Sequence, residues 1–291
     1  MLRLPAELIP TIPAPVRVVA RNAVWTYGRA TSAVRPLPNF LIIGAQKAGT
    51  TALYSYLRRH PAILGPPWKE VSFFDRHFWR GEAWYRGHFP NTLYTRSVRR
   101  RTGSEPIVGE ASPSYLFHPL VPERAARLLP GLRIIALVRN PSDRALSHYH
   151  HEVALGREPL AFEEALEQEE QRMEGELDRM LDPKYFSHAW WNFTYRSRGR
   201  YAEQLERWLA FVPRERLLIL PSEDLLEQPS RTYGQVLEFL GAPHHELDSY
   251  PRIFVREYTE MNPRTRAALR EYYAQPNRRL YELLGRDLGW A

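Results

Sequence analysis

Apolar residues fall into a few short, dense runs separated by long amphipathic stretches. Asn39–Gly44 reads Asn-Phe-Leu-Ile-Ile-Gly, an uninterrupted apolar segment of the kind that forms a strand buried on both faces. A glycine-containing turn follows. Then Thr50–His60 places Leu53, Tyr56 and Leu57 on one helical face and stops before Pro61. Leu132–Val138 and Arg216–Leu220 repeat the buried-strand pattern, and Ile107–Glu110 predicts a shorter strand that ends in a loop at Ala111–Ser114. Helices are expected over Ser142–Glu152, Tyr201–Phe211, Tyr233–Leu240, Thr265–Tyr273 and Asn277–Leu284. Phe162–Arg179 is dominated by glutamate and reads as one solvated helix. Strand, glycine turn and helix, repeated, predict an α/β fold: a P-loop-like mononucleotide fold with a central parallel sheet flanked by helices.

Residues 1–38 are rich in proline and arginine, with a possible short helix around Val16–Tyr27, and read as an N-terminal extension. Residues 39–291 read as a single domain, since no repeat or low-complexity linker divides them. Early prolines break any leader-like apolar stretch at the start, and no run approaches the length of a membrane span. A cytoplasmic protein without a transmembrane segment is expected.

Composition narrows the chemistry. The 291 residues contain no cysteine, which removes disulfides, thiol nucleophiles and thiolate metal sites. Forty basic residues against 33 acidic ones give a formal charge of +7, a mild anion bias short of a nucleic-acid binder's. Of those forty, only Lys47, Lys69 and Lys184 are lysines, an arginine excess that codon bias alone would give and that by itself proves nothing. Seven arginines crowd residues 76–103, where a solvated surface and an attractor for an anionic acceptor are equally good readings. In His148-Tyr149-His150-His151, His148 and His151 can share a helix face, but no third ligand is specified, so structural or solvated histidines are the better reading.

Two loops carry anion-binding chemistry. Gly44-Ala45-Gln46-Lys47-Ala48-Gly49-Thr50-Thr51 lies between a strand and a helix, where backbone N–H groups and the helix N-terminus can face an oxyanion. Lys47 adds a charge, and Thr50 and Thr51 add hydroxyls. The loop departs from the nucleoside-triphosphate pattern, which has its lysine after the second glycine. No apolar strand ending in a magnesium-holding aspartate is evident either, so metal-dependent phosphoryl transfer by an atypical kinase is the weaker enzymatic reading. The second loop, Arg139-Asn140-Pro141-Ser142-Asp143-Arg144-Ala145-Leu146-Ser147, puts a guanidinium at a buried strand's carboxyl end and a hydroxyl about two turns on. Together the loops suit a ligand with two separate anionic groups. A non-catalytic anion-binding protein would need them as well.

FLIIGAQKAGTTALYSYLRRHP and IIALVRNPSDRALSHY resemble the two nucleotide motifs of sulfotransferases that use 3′-phosphoadenylyl sulfate. The nearest likeness is to the heparan sulfate sulfotransferase branch and its bacterial relatives, from about Phe40 to Trp290. The resemblance implies that Gln46, Lys47, Ala48, Gly49, Thr50 and Thr51 hold the 5′-phosphosulfate, and that Arg139 and Ser147 hold the 3′-phosphate. It also makes Lys69-Glu70-Val71-Ser72-Phe73-Phe74-Asp75 the segment carrying a catalytic glutamate, Glu70, with Lys47 assisting the leaving oxygen. Read alone, Glu70 is an isolated loop glutamate; beside Phe73 and Phe74, partial burial is expected to raise its pKa. The implied reaction transfers a sulfuryl group to a hydroxyl of a small molecule, lipid or sugar without a metal.

Two positions depart from that branch. Ala111 stands where the heparan enzymes carry a lysine, and a lysine-glycine-arginine loop is missing near Tyr250–Pro263, where Arg252 and Arg256 are possible substitutes. Trp68, Trp79, Trp84, Tyr85, Trp190 and Trp191 are candidates to line an acceptor cleft, of which one or two are expected to do so.

Overall fold

The computed structural model describes residues 25–253 and 260–290. Five strands form one sheet: β1 (Phe40–Gly44), β2 (Ile63–Leu64), β3 (Ile107–Ala111), β4 (Arg133–Val138) and β5 (Leu217–Pro221), in the order β2-β3-β1-β4-β5. Every pairing is parallel. β1 is central, with Phe40 opposite Gly109 on one side and Arg133 on the other. Its residues are wholly buried, which explains the unbroken apolar run. The α/β class expected from the sequence is the class observed.

Parallel strands need long crossovers, and the helices supply them. The ones that matter here are α1 (Thr50–Leu57), α2 (Thr92–Thr102), α3 (Val121–Leu128), α4 (Pro141–Ala154), α5 (Tyr201–Leu209), α6 (Pro229–Leu240) and α7 (Pro263–Leu284). The chain leaves β1 toward β3 on one side and later returns to β4 on the other. The carboxyl ends of β1 and β4 therefore flank the switch point at which open α/β sheets hold ligands. α4 begins one residue before its sequence expectation, with Pro141 at its first position and Asn140 Oδ1 accepting from the N–H groups of Ser142 (3.0 Å) and Asp143 (3.3 Å).

Two expected elements differ. The closing helices are one helix of 22 residues with Pro276 inside it. Tyr273, Pro276, Asn277 and Leu280 are all buried, so packing of this face outweighs the backbone hydrogen bond that proline removes. The glutamate-rich segment is not one solvated helix but three short ones, Phe162–Glu167, Glu169–Met173 and Glu176–Arg179, broken at Gly175 with its left-handed backbone. Its glutamates partly face inward. Glu169 is 1% exposed and accepts from the N–H groups of Arg196 (2.6 Å) and Ser197 (2.9 Å), while buried Glu176 accepts from the Tyr185 hydroxyl (2.9 Å).

Within the expected extension, residues 25–30 are helical, and Arg35 is buried with a guanidinium hydrogen bond to the Phe89 carbonyl. The possible helix around Val16–Tyr27 lies largely outside the described residues, as does Arg256. Among the described residues no helix is long and apolar enough to cross a membrane.

The turn leaving β1 is fitted around Gly44. A Cβ there would stand 2.6 Å from Leu116 Cβ and 2.9 Å from the Pro113 carbonyl oxygen. Both belong to the loop after β3, so this contact sets the spacing between two loops at the sheet's carboxyl edge. Gly44→Ala is expected to cost about 1–3 kcal/mol through this overpacking, read as a lower urea midpoint at unchanged slope.

Candidate active site

The first loop rises from β1 into α1. The Ala45 N–H donates to the Leu137 carbonyl of β4 (2.6 Å), and the Ala48 N–H donates to the Ala45 carbonyl (3.1 Å), closing a tight turn. Gly49 precedes α1 at φ 90°, a conformation that favours glycine. Thr50 opens the helix and is buried, and the first-turn N–H groups have no partner within the helix. Gln46 carries a buried side-chain oxygen with no hydrogen-bond partner in the protein. Ala48 is buried, while Lys47 and Thr51 are half-buried.

The second loop meets the first. Arg139 Nη1 donates to the Lys47 carbonyl (3.1 Å), and the Arg139 carbonyl accepts from the Tyr201 hydroxyl on α5 (2.9 Å). Two anion motifs 92 residues apart in sequence thus share one edge of the sheet. Ser147 lies on α4 and is buried. The donor set, Lys47, Thr50, Thr51, Arg139 and Ser147 with the first-turn amides, contains no carboxylate and suits an oxyanion-bearing nucleotide.

Glu70 is brought to the same place by its neighbour. Lys69 Nζ lies 2.8 Å from Glu70 Oε1 and 3.5 Å from Thr50 Oγ1, so one ammonium spans the glutamate and the head of α1. The Glu70 side chain is 47% exposed. The partial burial expected from the sequence does not occur: Phe73 and Phe74 turn into the core while Glu70 faces outward. Lys69 stood in the sequence only as the residue beside Glu70. Its scarcity among forty basic residues was the one signal for it.

Backbone strain collects at these positions. Lys47 (φ 71°), Glu70 (φ 64°) and Ser72 (φ 51°) are the non-glycine residues with left-handed backbone among those described. Each costs roughly 1–2 kcal/mol and persists only where surrounding contacts hold it. The contacts around Glu70 come from the end of β3 and its loop. The Glu70 N–H donates to the Ala111 carbonyl (3.1 Å), the Ser72 N–H to Ser112 Oγ (3.1 Å), and the Phe73 N–H to the Tyr115 hydroxyl (2.8 Å). Ala111, lacking the lysine of the heparan enzymes, contributes a buried methyl and this carbonyl.

Beneath the loop lie two acids that sequence reasoning missed as site residues, Glu110 wholly buried and Asp75 half-buried. Glu110 accepts from the hydroxyls of Tyr85 (2.8 Å), Ser112 (2.8 Å) and Tyr115 (3.0 Å); burial outweighs these donors and pushes its carboxyl up to about 7. Asp75 accepts from the Ser114 hydroxyl, and burial pushes its carboxyl up to about 6 against that bond and the Arg198 charge. Arg198, fully buried, is lowered to about 9 by desolvation and by Arg144. His148 is buried and held well below its usual pKa by desolvation and the nearby charges of Arg144, Arg198 and Lys47. Among the described residues no group of three histidine, aspartate or glutamate side chains could hold a metal ion.

The aromatic candidates divide. Tyr85 is wholly buried on Glu110 and belongs to the core. Trp84 packs on Phe73 and His88. Trp190 stacks on Phe117 at 4.7 Å. Trp191 lies beside Phe186, whose ring sits 4.4 Å beneath the Arg76 guanidinium. Trp68 is half-buried, while Trp79 is exposed and covered by Arg80. Trp191 and Trp68, next to the segment that bears Glu70, fit an acceptor wall best. Ser249 and Pro251 accept through their carbonyls from Arg59, just past α1, and from Tyr56 of α1, which brings Arg252 near this helix. Two open concavities of about 400 and 310 Å³ lie along α2 among Arg96, Arg99 and Arg100, and share no residue with the site.

Known proteins share this architecture. A family model described as "Sulfotransferase domain" matches residues 37–275. A sulfotransferase from Alicyclobacillus acidocaldarius superimposes with a TM-score of 0.65 at 32% identity, covering 88% of this chain and 99% of that one. The membrane-associated sulfotransferase kil1 of Dictyostelium discoideum is 29% identical over 87% of this chain, which spans 66% of it. Human heparan sulfate glucosamine 3-O-sulfotransferase 6 is 31% identical over 88% of this chain and 74% of its own length. The human bifunctional heparan sulfate N-deacetylase/N-sulfotransferase 3 is 32% identical over 85% of this chain, which spans 30% of it.

Asp75 makes the folded state sensitive to pH. Its carboxyl is raised from 3.8 to about 6, so its contribution to stability is fully present below pH 4 and is lost as pH rises through 6. Asp75→Asn is therefore expected to gain on the order of 2 kcal/mol relative to the parent between pH 4 and pH 7.5, by urea denaturation at each pH.

Proposed function

This chain belongs to the sulfotransferase family, and from that premise we propose that it transfers a sulfuryl group from 3′-phosphoadenylyl sulfate to an acceptor hydroxyl. The observation that carries this reading is the Lys69 ammonium, which links Glu70 to the first residue of α1 at 2.8 and 3.5 Å. A base lies beside an anion loop, in the order that in-line transfer requires.

The donor would supply its sulfuryl group as one half of a phosphate–sulfate anhydride, leaving adenosine 3′,5′-bisphosphate. Lys47, Thr50, Thr51 and the first-turn amides of α1 hold the 5′ end, on a turn closed by the Ala48 N–H. Arg139 and Ser147 hold the 3′-phosphate, and the Arg139–Lys47 contact keeps the two subsites in register. Glu70 takes the acceptor proton on its carboxylate as the acceptor oxygen forms its bond to sulfur. Once protonated, Glu70 pairs less strongly with Lys69. The ammonium is then released toward Thr50, the side on which charge grows on the leaving phosphate. Because that charge lies next to a fixed lysine and helix N-terminus, this arrangement needs no metal.

The acceptor is an alcohol on a small molecule, a lipid or a sugar. A narrower kinship with the heparan branch is supported by relatives named for 3-O- and for N-sulfation of heparan sulfate, at 31% and 32% identity. Ala111 and the absent lysine-glycine-arginine loop favour an acceptor less anionic than a sulfated polysaccharide.

Calorimetry with adenosine 3′,5′-bisphosphate tests the donor site. Binding without added metal is expected, with Arg139→Ala weakening it about 10- to 100-fold through loss of a charge-assisted hydrogen bond. Glu70→Gln is expected to bind the nucleotide normally but to lose about 100-fold or more in transfer of radiolabelled sulfate to an alcohol panel. Absence of binding, or full activity in Glu70→Gln, would overturn the reading.

A further inference from the structure

Glu110 is buried, faces no solvent and lies outside the donor set, yet three hydroxyl groups converge on it. Two of those hydroxyls have a second role. Ser112 Oγ, which donates to Glu110 Oε2, accepts the Ser72 N–H at 3.1 Å. The Tyr115 hydroxyl, which donates to Glu110 Oε1, accepts the N–H groups of Phe73 (2.8 Å) and Phe74 (3.4 Å). A hydroxyl has one proton. It can receive those backbone donors only if its own proton points elsewhere, and in both cases it points at Glu110.

We propose that Glu110 is a positioning residue for Glu70. By accepting hydrogen bonds from the Ser112 and Tyr115 hydroxyls, its carboxylate leaves both oxygens free to accept from the N–H groups of residues 72–74. It thereby holds the strained loop that presents Glu70 beside Lys69. The proposal rests on the reading of Glu70 as the base, but its structural half can be tested separately.

The direction of the hydrogen bonds makes the device depend on charge. A protonated Glu110 would bring a donor into a ring of donors, and one hydroxyl would have to turn its proton back toward the loop. Burial and the Glu110 charge keep the phenols of Tyr85 and Tyr115 protonated far into alkali, so they do not titrate in the neutral range. The other groups facing Glu110 are Tyr54 on α1, whose hydroxyl bonds to the Gly109 carbonyl and lies near Arg58, and Asp75 on the loop itself. Only Asp75 shares the pH window, with its carboxyl at about 6 against about 7 for Glu110.

The test uses the full chain labelled with 15N-phenylalanine, following the Phe73 and Phe74 amides by NMR, with nucleotide binding and transfer measured alongside. In the parent both amides should shift with a midpoint near pH 7, and in Asp75→Asn they should still shift, with the midpoint lowered by loss of the Asp75 charge. In Glu110→Gln that midpoint should vanish, and both amides should exchange with solvent about 10-fold faster or more, the effect of one lost hydrogen bond. Tyr115→Phe should speed exchange at the same two amides, and it carries the test if Glu110→Gln does not fold. Both variants should lower kcat with an unchanged Kd for adenosine 3′,5′-bisphosphate, and the double variant should lose less than the two single losses combined. The proposal is overturned if folded Glu110→Gln keeps the titration, or if exchange at Phe73 and Phe74 is the same in the parent and Tyr115→Phe. If the parent binds no nucleotide, the functional reading fails, and the amide measurements still decide whether Glu110 sets the loop.

Discussion

The backbone ladder on both edges of β1 is the constraint from which the site follows. Because β1 pairs with β3 and with β4, the loops at its carboxyl end and theirs are delivered to one place. The Ala45 N–H extends the ladder past the strand to the Leu137 carbonyl, and Leu116 and Pro113 close on Gly44 from the β3 side. The turn that follows has little freedom left. A lysine and a glycine adopt left-handed backbone there, and α1 starts with its amide end toward the crevice. Arg139 needs no separate device to join the site, since it is the next residue after β4.

A second layer is polar and connects the loops to one another. The segment from Glu110 to Tyr115 offers a carbonyl and two hydroxyls to the loop bearing Glu70, and Lys69 ties that loop to α1. These bonds are directional in a way that apolar packing is not, and the left-handed backbone of Glu70 and Ser72 relies on that directionality. The cost is desolvation of two carboxylates below the loop, each raised well above its ordinary range.

The fold was legible because its signals are local. Asn39–Gly44 and Leu132–Val138 are continuous apolar runs, and the residues after each one determine the chemistry of its loop. Lys47, Thr50, Thr51 and Arg139 could be read for the same reason. What was not legible depends on register between distant segments. Nothing in the sequence near Glu110 shows that Tyr85 and Tyr115 will meet on it, or that residues 72–74 will lie across them. The outward turn of Glu70 reverses a local expectation, because the adjacent phenylalanines take the inward positions. Pro276 reads as a break until Tyr273 and Leu280 are seen to bury its helix on both sides. The glutamate-rich stretch reads as solvated skin because charge predicts exposure, and its partners at 196 and 197 lie far along the chain.

That stretch is fastened to the molecule by carboxylates. Glu158 accepts from Arg172 and Tyr195, Glu169 from the backbone at 196 and 197, and Glu176 from Tyr185, so carboxylates join Phe162, Ala165 and Leu166 in holding this stretch. Salt bridges and hydrogen bonds to charge weaken on acidification, whereas a sheet core does not. The Glu158 carboxyl is held below its ordinary range by those partners, so its clasp persists above about pH 4.5 and loosens as the solution becomes more acid. The attachment of this segment therefore depends on carboxylate charge in a way that the apolar core of the sheet does not.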